Sequence, residues 1–111
     1  MDTIRQQKTS QLIKKELAEI FLFDGPSMYD CMITVTKTSV TKDLSIARSY
    51  LSIFNAENNE AVLKAVRANT KEIRYRLGQK IHNQVRIIPQ LEFFIDDSLD
   101  YIENIEKLLK Q

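Results

Sequence analysis

At 111 residues and 12.9 kDa, with 43% hydrophobic and 28% charged side chains, the chain has the length of one domain and enough apolar residues for one two-layer core. Sixteen Lys and Arg against fifteen Asp and Glu leave a net charge of +1, which taken alone argues against a wholly basic nucleic-acid binder and against an acidic disordered tail. Two Gly and two Pro exclude low-complexity architecture, the single cysteine Cys31 excludes an internal disulfide, and no apolar run approaches the ~18–20 residues of a membrane span. The N-terminus shows no signal-peptide core, so the expectation is one cytoplasmic domain over residues 1–111.

The spacing predicts a first helix over residues 4–22. Thr3 and Gln6 stand at capping-box spacing, where the hydroxyl and the amide side chain satisfy free amides at a helix start. Ile13, Leu17, Ile20 and Phe21 then form one apolar stripe, widened by Leu12. Asp24, Gly25, Pro26 and Ser27 read as a breaker. Residues 32–40 are dense in β-branched side chains. Residues 46–54 alternate, with Ala47, Ser49, Leu51 and Ile53 on one face and Arg48 and Tyr50 on the other. Joined by a turn over 41–45, the two form an antiparallel hairpin with one buried face.

Residues 55–59 make a loop that offers N-caps. From 60 to 82 the pattern is helical, with Val62, Leu63, Val66, Ile73, Leu77 and Ile81 on one side; the weak helix formers Asn69 and Thr70 mark a kink or a division into two helices. Residues 85–95 read as a third strand, in which Val85, Ile87, Leu91, Phe93 and Ile95 share parity. Pro89 lacks a backbone donor, which puts this strand at a sheet edge or bends it locally. Asp97 and Ser98 cap a last helix carrying Leu99, Ile102, Ile105 and Leu109. The order α-β-β-α(α)-β-α predicts an α+β domain with helices packed on a three-stranded sheet.

The near-neutral total hides a segregation of charge. Residues 1–60 carry seven basic and eight acidic side chains, net −1; residues 91–111 carry two basic and six acidic, net −4. Between them, residues 61–90 carry Lys64, Arg67, Lys71, Arg74, Arg76, Lys80 and Arg86 against Glu72 alone, net +6. Such a segment is a candidate footprint for an anionic partner, and equally an ordinary solvated helix face. Tyr75 lies among Lys71, Arg74 and Arg76, where an aromatic ring beside cations suits base stacking and phosphate neutralisation, or simply covers the core.

Catalytic constellations are thin. His82 is the one histidine, and nothing local joins it to Cys31 or to a serine as a nucleophile–base pair. One His and one Cys cannot build a zinc site, and Gly25 and Gly78 leave no phosphate-binding glycine loop. Asp96 and Asp97 serve a helix N-terminus more simply than they serve chemistry. Cys31 reads as an inert, buried or semi-buried thiol. The expectation is no enzyme activity, no cofactor and no small-molecule substrate.

Four stretches in order resemble the ribosome-binding factor A family: Val35-Thr36-Lys37 with Val40-Thr41-Lys42-Asp43-Leu44-Ser45-Ile46-Ala47; Ile73-Arg74 with Leu77; Arg86-Ile87-Ile88-Pro89-Gln90-Leu91-Glu92-Phe93-Phe94; and Asp96-Asp97-Ser98. With Arg5, Leu12, Ile13 and Leu17, the resemblance covers nearly the whole chain. It implies a variant type II KH-like fold without the GXXG loop, binding to the small (30S) ribosomal subunit and its 16S rRNA during late maturation and rRNA processing, and a role in cold adaptation. The family's Ala-x-Gly kink is replaced here by Asn69-Thr70-Lys71, where Asn69 supplies left-handed or cap geometry. The seven cations of the +6 segment are then the expected RNA contacts, on a monomeric domain that acts by occupancy. The alternative is a protein–protein adaptor or homodimer using the same α+β surface.

Overall fold

The computed structural model describes residues 3–96; the expected last helix and its caps Asp97 and Ser98 lie outside them. Helix α1 (Ile4–Asp24) starts where the capping box places it. The Thr3 hydroxyl accepts from Gln6 N at 3.1 Å and the Gln6 side chain accepts from Thr3 N at 2.9 Å. Gln6 is also buried, and its amide donates to Val40 O at 3.1 Å, which ties the helix start to the strand end 34 residues away. Ile13, Leu17, Ile20 and Phe21 are all buried, as their spacing predicts.

Residues 24–27 do more than stop the helix. The chain continues into a five-residue π-helical turn, Gly25–Tyr29, closed by Asp30 at φ 54°. Pro26 sits at the start of that turn, where its missing N–H is harmless. Gly25 is required for space: a Cβ there would lie 2.7 Å from Cys31 O and 3.3 Å from Ile33 N, both backbone atoms.

Strands β1 (Met32–Val40) and β2 (Ile46–Phe54) pair antiparallel, and β3 (Gln90–Ile95) joins β2 in parallel, giving the order β1-β2-β3. Ala47, Ser49, Leu51 and Ile53 are buried as expected. The register slips by one residue between Val35 and Lys37, so Thr36 is the extra residue of a β-bulge. The inward set therefore changes parity from Ile33 and Val35 to Thr38 and Val40. The Thr36 hydroxyl donates in a shared bond to Tyr50 O at 3.2 Å and to the Asp96 carboxylate.

The 41–45 turn is held by Asp43, whose carboxylate accepts from Ser45 N, Ser45 Oγ and Thr41 Oγ1 at 3.1, 2.7 and 2.8 Å. These bonds, led by the Ser45 hydroxyl, hold the Asp43 carboxyl below its ordinary pKa.

A parallel neighbour demands a crossover, which α2 (Asn59–Ala68) and α3 (Thr70–Ile81) provide. Asn58 caps α2 by accepting from Ala61 N at 3.2 Å. The break falls at Asn69, as expected, but with φ −98° rather than in the left-handed region. Asn69 ends one helix and begins the next, and its amide donates to Tyr29 Oη at 3.0 Å. Leu63, Val66, Ile73, Leu77 and Ile81 close over the sheet, and the core gathers around Phe21 and Phe93, whose rings meet edge to face at 5.7 Å.

The third strand is shorter than the predicted 85–95. It begins at Gln90, directly after Pro89, and Ile87 is 62% exposed instead of sharing the buried face with Leu91 and Phe93. Before that point the ladder is missing its donor at Pro89, and the carbonyls of Ile88 and Pro89 are taken by Arg74. As expected, the strand lies at the sheet edge.

Candidate nucleic-acid interface

The seven cations of the +6 segment divide into three groups by what they touch. Arg67 on α2 directs Nε and Nη2 to Phe93 O at 3.0 and 2.8 Å, with its guanidinium 5.7 Å from the Phe94 ring centroid. Arg74 on α3 donates to Pro89 O at 3.0 Å and Ile88 O at 2.6 Å. Phe93 and Pro89 turn their carbonyls away from β2, because Gln90 N and Asp96 N, of the opposite parity, are the groups that bond Ser45 O and Leu51 O. The two arginines therefore cover carbonyls of β3 and of the residues leading into it, on the side where no further strand lies among the described residues. A neutral carbonyl leaves the guanidinium charge intact, and both side chains remain exposed.

A second group is neutralised. Arg76 meets the Asp24 carboxylate at 2.5 Å, and Asp24, at the end of α1, has a side chain only 7% exposed. Lys80 lies 3.6 Å from Glu16 and 3.3 Å from Glu19. These pairs fasten α3 to α1 and remove two charges from the outward field.

Lys64, Lys71 and Arg86 form the third group. All three are exposed and make no ion pair or side-chain hydrogen bond among the described residues. Lys71 and Tyr75 line a shallow cavity of about 470 Å³ beside the Asn69 break. Tyr75 is 64% exposed, so its ring is offered to solvent and does not roof the core.

The remaining candidates fall into place. His82 is exposed at the end of α3, with Nδ1 3.2 Å from Gln79 O. Cys31 is buried, and burial, with the charge of Asp30 adding to it, pushes its thiol pKa up. Asp96 is engaged with Thr36. Among the described residues no three His, Cys, Asp or Glu side chains gather as metal ligands, and no helix is long and apolar enough to cross a membrane.

One feature escaped the reading of the +6 segment. A cleft of about 500 Å³ opens between the start of α1, the 41–45 turn and the 82–89 connection, and Arg5, Lys8, Lys42 and Arg86 line it with Asp43. The signal in the sequence was local: the first turn of α1 holds no acidic residue, against the usual preference at a helix N-terminus.

An α-β-β-α-α-β chain whose helices cover one face of a mixed three-stranded sheet is a KH-like domain. A model of the family described as ribosome-binding factor A matches residues 5–109. Ribosome-binding factor A of Cytophaga hutchinsonii is 41% identical over 112 residues, covering 100% of this chain and 84% of the relative. That of Flavobacterium johnsoniae is 43% identical over 111 residues, covering 98% and 85%. The crystal structure of ribosome-binding factor A from Thermus thermophilus superposes with a TM-score of 0.66 at 24% identity, over 81% of this chain and 94% of that one. A Thermus thermophilus ribosome-binding factor A model, fitted into the cryo-EM map of its complex with the 30S subunit, gives 0.61 at 24% identity, over 78% and 89%. The chain belongs to the ribosome-binding factor A family.

Proposed function

We propose that this chain is a single, monomeric, cytoplasmic domain that binds the small ribosomal subunit through its 16S rRNA late in maturation and rRNA processing, without catalysis and without a cofactor. Membership of the family over residues 5–109 is the observation that carries this reading. Lys64 on α2 and Lys71 beside the helix break, exposed and unengaged among the described residues, and the exposed ring of Tyr75 support an RNA contact, with Arg86 contributing from the 82–89 connection. Arg67 and Arg74 add charge to that field while holding β3 in place. Arg76 and Lys80, neutralised by α1, position α3 and contribute little to the field.

Such a domain acts by occupancy. It favours the RNA conformation that fits its basic surface and leaves when that conformation is replaced, because a bound protein shifts an RNA equilibrium only through differential affinity. Co-sedimentation tests the reading: the protein travels with free small subunits and not with complete ribosomes. Equal recovery with both, or with neither, overturns it.

A further inference from the structure

We propose that the cleft between the α1 N-terminus, the 41–45 turn and the 82–89 connection is a second RNA site, which holds backbone phosphates through Arg5, Lys8, Lys42 and Arg86. The proposal rests on the ribosomal reading above for the identity of the polyanion, and on the cleft's own geometry for its place.

Four cations from three separate parts of the chain line one cavity of about 500 Å³, and Asp43 is the one acidic side chain among the described residues that line it. Asp43 is already occupied, accepting three hydrogen bonds from Thr41 and Ser45 within its own turn. None of the four cations makes an ion pair or side-chain hydrogen bond among the described residues, whereas Arg76 and Lys80 both reach carboxylates. The described lining thus holds a net charge of about +3 that no ion pair among the described residues uses, and low-dielectric walls focus such a charge.

Stability offers no reason for the arrangement. Arg5 and Lys8 stand in and just after the first turn of α1, at the positive end of the helix macrodipole, where cations are unfavourable and where that first turn holds no acidic residue. A phosphate in the cleft reverses that penalty, because the helix end and all four side chains then attract the same group. Arg86 links this cleft to the +6 segment, so an RNA strand passing Arg86 meets both basic regions.

The test compares Lys8→Ala/Lys42→Ala with Lys14→Ala/Lys15→Ala, which removes the same charge from exposed positions outside the cleft. Binding to purified small ribosomal subunits is measured from 50 to 200 mM KCl. In the cleft variant affinity falls at least tenfold at the low end, and the slope of log K against log[KCl] drops by about 1.5, at ~0.7–0.9 per phosphate contact. The control loses less than threefold. Equal losses in the two variants overturn the proposal and leave the ribosomal reading standing. A second arm titrates an RNA hairpin into the intact protein and follows backbone amide resonances. Shifts at Leu44, Val85 and Arg86 support the cleft even where the subunit does not bind, a result that overturns the ribosomal reading alone. Shifts confined to the Asn69 break, or produced as strongly by an acidic peptide, overturn the cleft.

Discussion

Arg76 and Lys71 lie five positions apart in one basic segment, yet they do opposite things. Arg76 faces α1 and is spent on Asp24 at 2.5 Å, while Lys71 faces solvent beside Tyr75 at the helix break. The same contrast separates Lys80, held between Glu16 and Glu19, from Lys64 and Arg86. Formal charge counted along a chain does not say which cations a partner can reach. A helix that packs through one flank against an acidic neighbour turns part of its charge into internal fastening.

The largest effect that separates the two groups belongs to Arg76→Ala. It leaves the Asp24 carboxylate buried without its counter-ion, and urea unfolding followed by circular dichroism is expected to show a loss of ~2–3 kcal/mol. Asp24→Asn costs less, because it removes the charge and keeps a hydrogen-bonding group. A fully stable Arg76→Ala protein breaks the distinction between fastened and available cations. Arg74→Ala comes next, at about 1–2 kcal/mol, since two carbonyls at the β3 edge lose a charged donor. Amide exchange at residues 90–95 reads that change directly, with faster exchange expected than in the parent protein.

The available group behaves in the other way. Lys64→Ala/Lys71→Ala is expected to alter stability by less than ~0.5 kcal/mol while lowering the salt slope of RNA binding by about 0.7–0.9 per side chain. Glu16→Gln/Glu19→Gln sharpens the comparison further, because it releases Lys80 from α1. RNA affinity rises about twofold and stability falls by less than ~1 kcal/mol; unchanged affinity shows that Lys80 faces the wrong way to be used.

The smallest effect concerns acid. The carboxyl of Asp43 has its pKa lowered by folding, so the turn's support is present above the unfolded value near 3.8 and fades as the pH falls through the lower folded value. Amide shifts of Leu44 and Ser45 are expected to move in that window, and Asp43→Asn removes the transition.

The hairpin was legible because its signals are local. Alternation over residues 46–54 and the β-branched run before it mark both strands, Thr3 and Gln6 announce the cap of α1, and residues 55–59 offer the cap that Asn58 makes. The bulge at Thr36 was hidden, because one extra residue in a run rich in β-branched side chains leaves no mark on composition. Residues 85–89 misled for the opposite reason. Val85, Ile87 and Ile88 carry the side chains of a strand, but Pro89 and the demands of Arg74 on the carbonyls of Ile88 and Pro89 hold that stretch outside the ladder. The basic segment itself was visible in the sequence. Its division was not, since the partners of Arg67, Arg76 and Lys80 lie 26, 52 and 61 residues away.

The neutral total of +1 therefore has a definite meaning. Sequence alone determined the order of elements within residues 3–96, the buried stripes of α1 and β2, the helix break at Asn69 and the concentration of charge over residues 61–90, because each depends on neighbours within a few positions. Tertiary structure alone decided that β3 is short and parallel to β2 and that two of seven cations are cancelled by α1. It also brought Arg5, Lys8, Lys42 and Arg86 into one cleft. Electrostatic availability is a property of distance and solvent access, and neither is defined until the chain has packed.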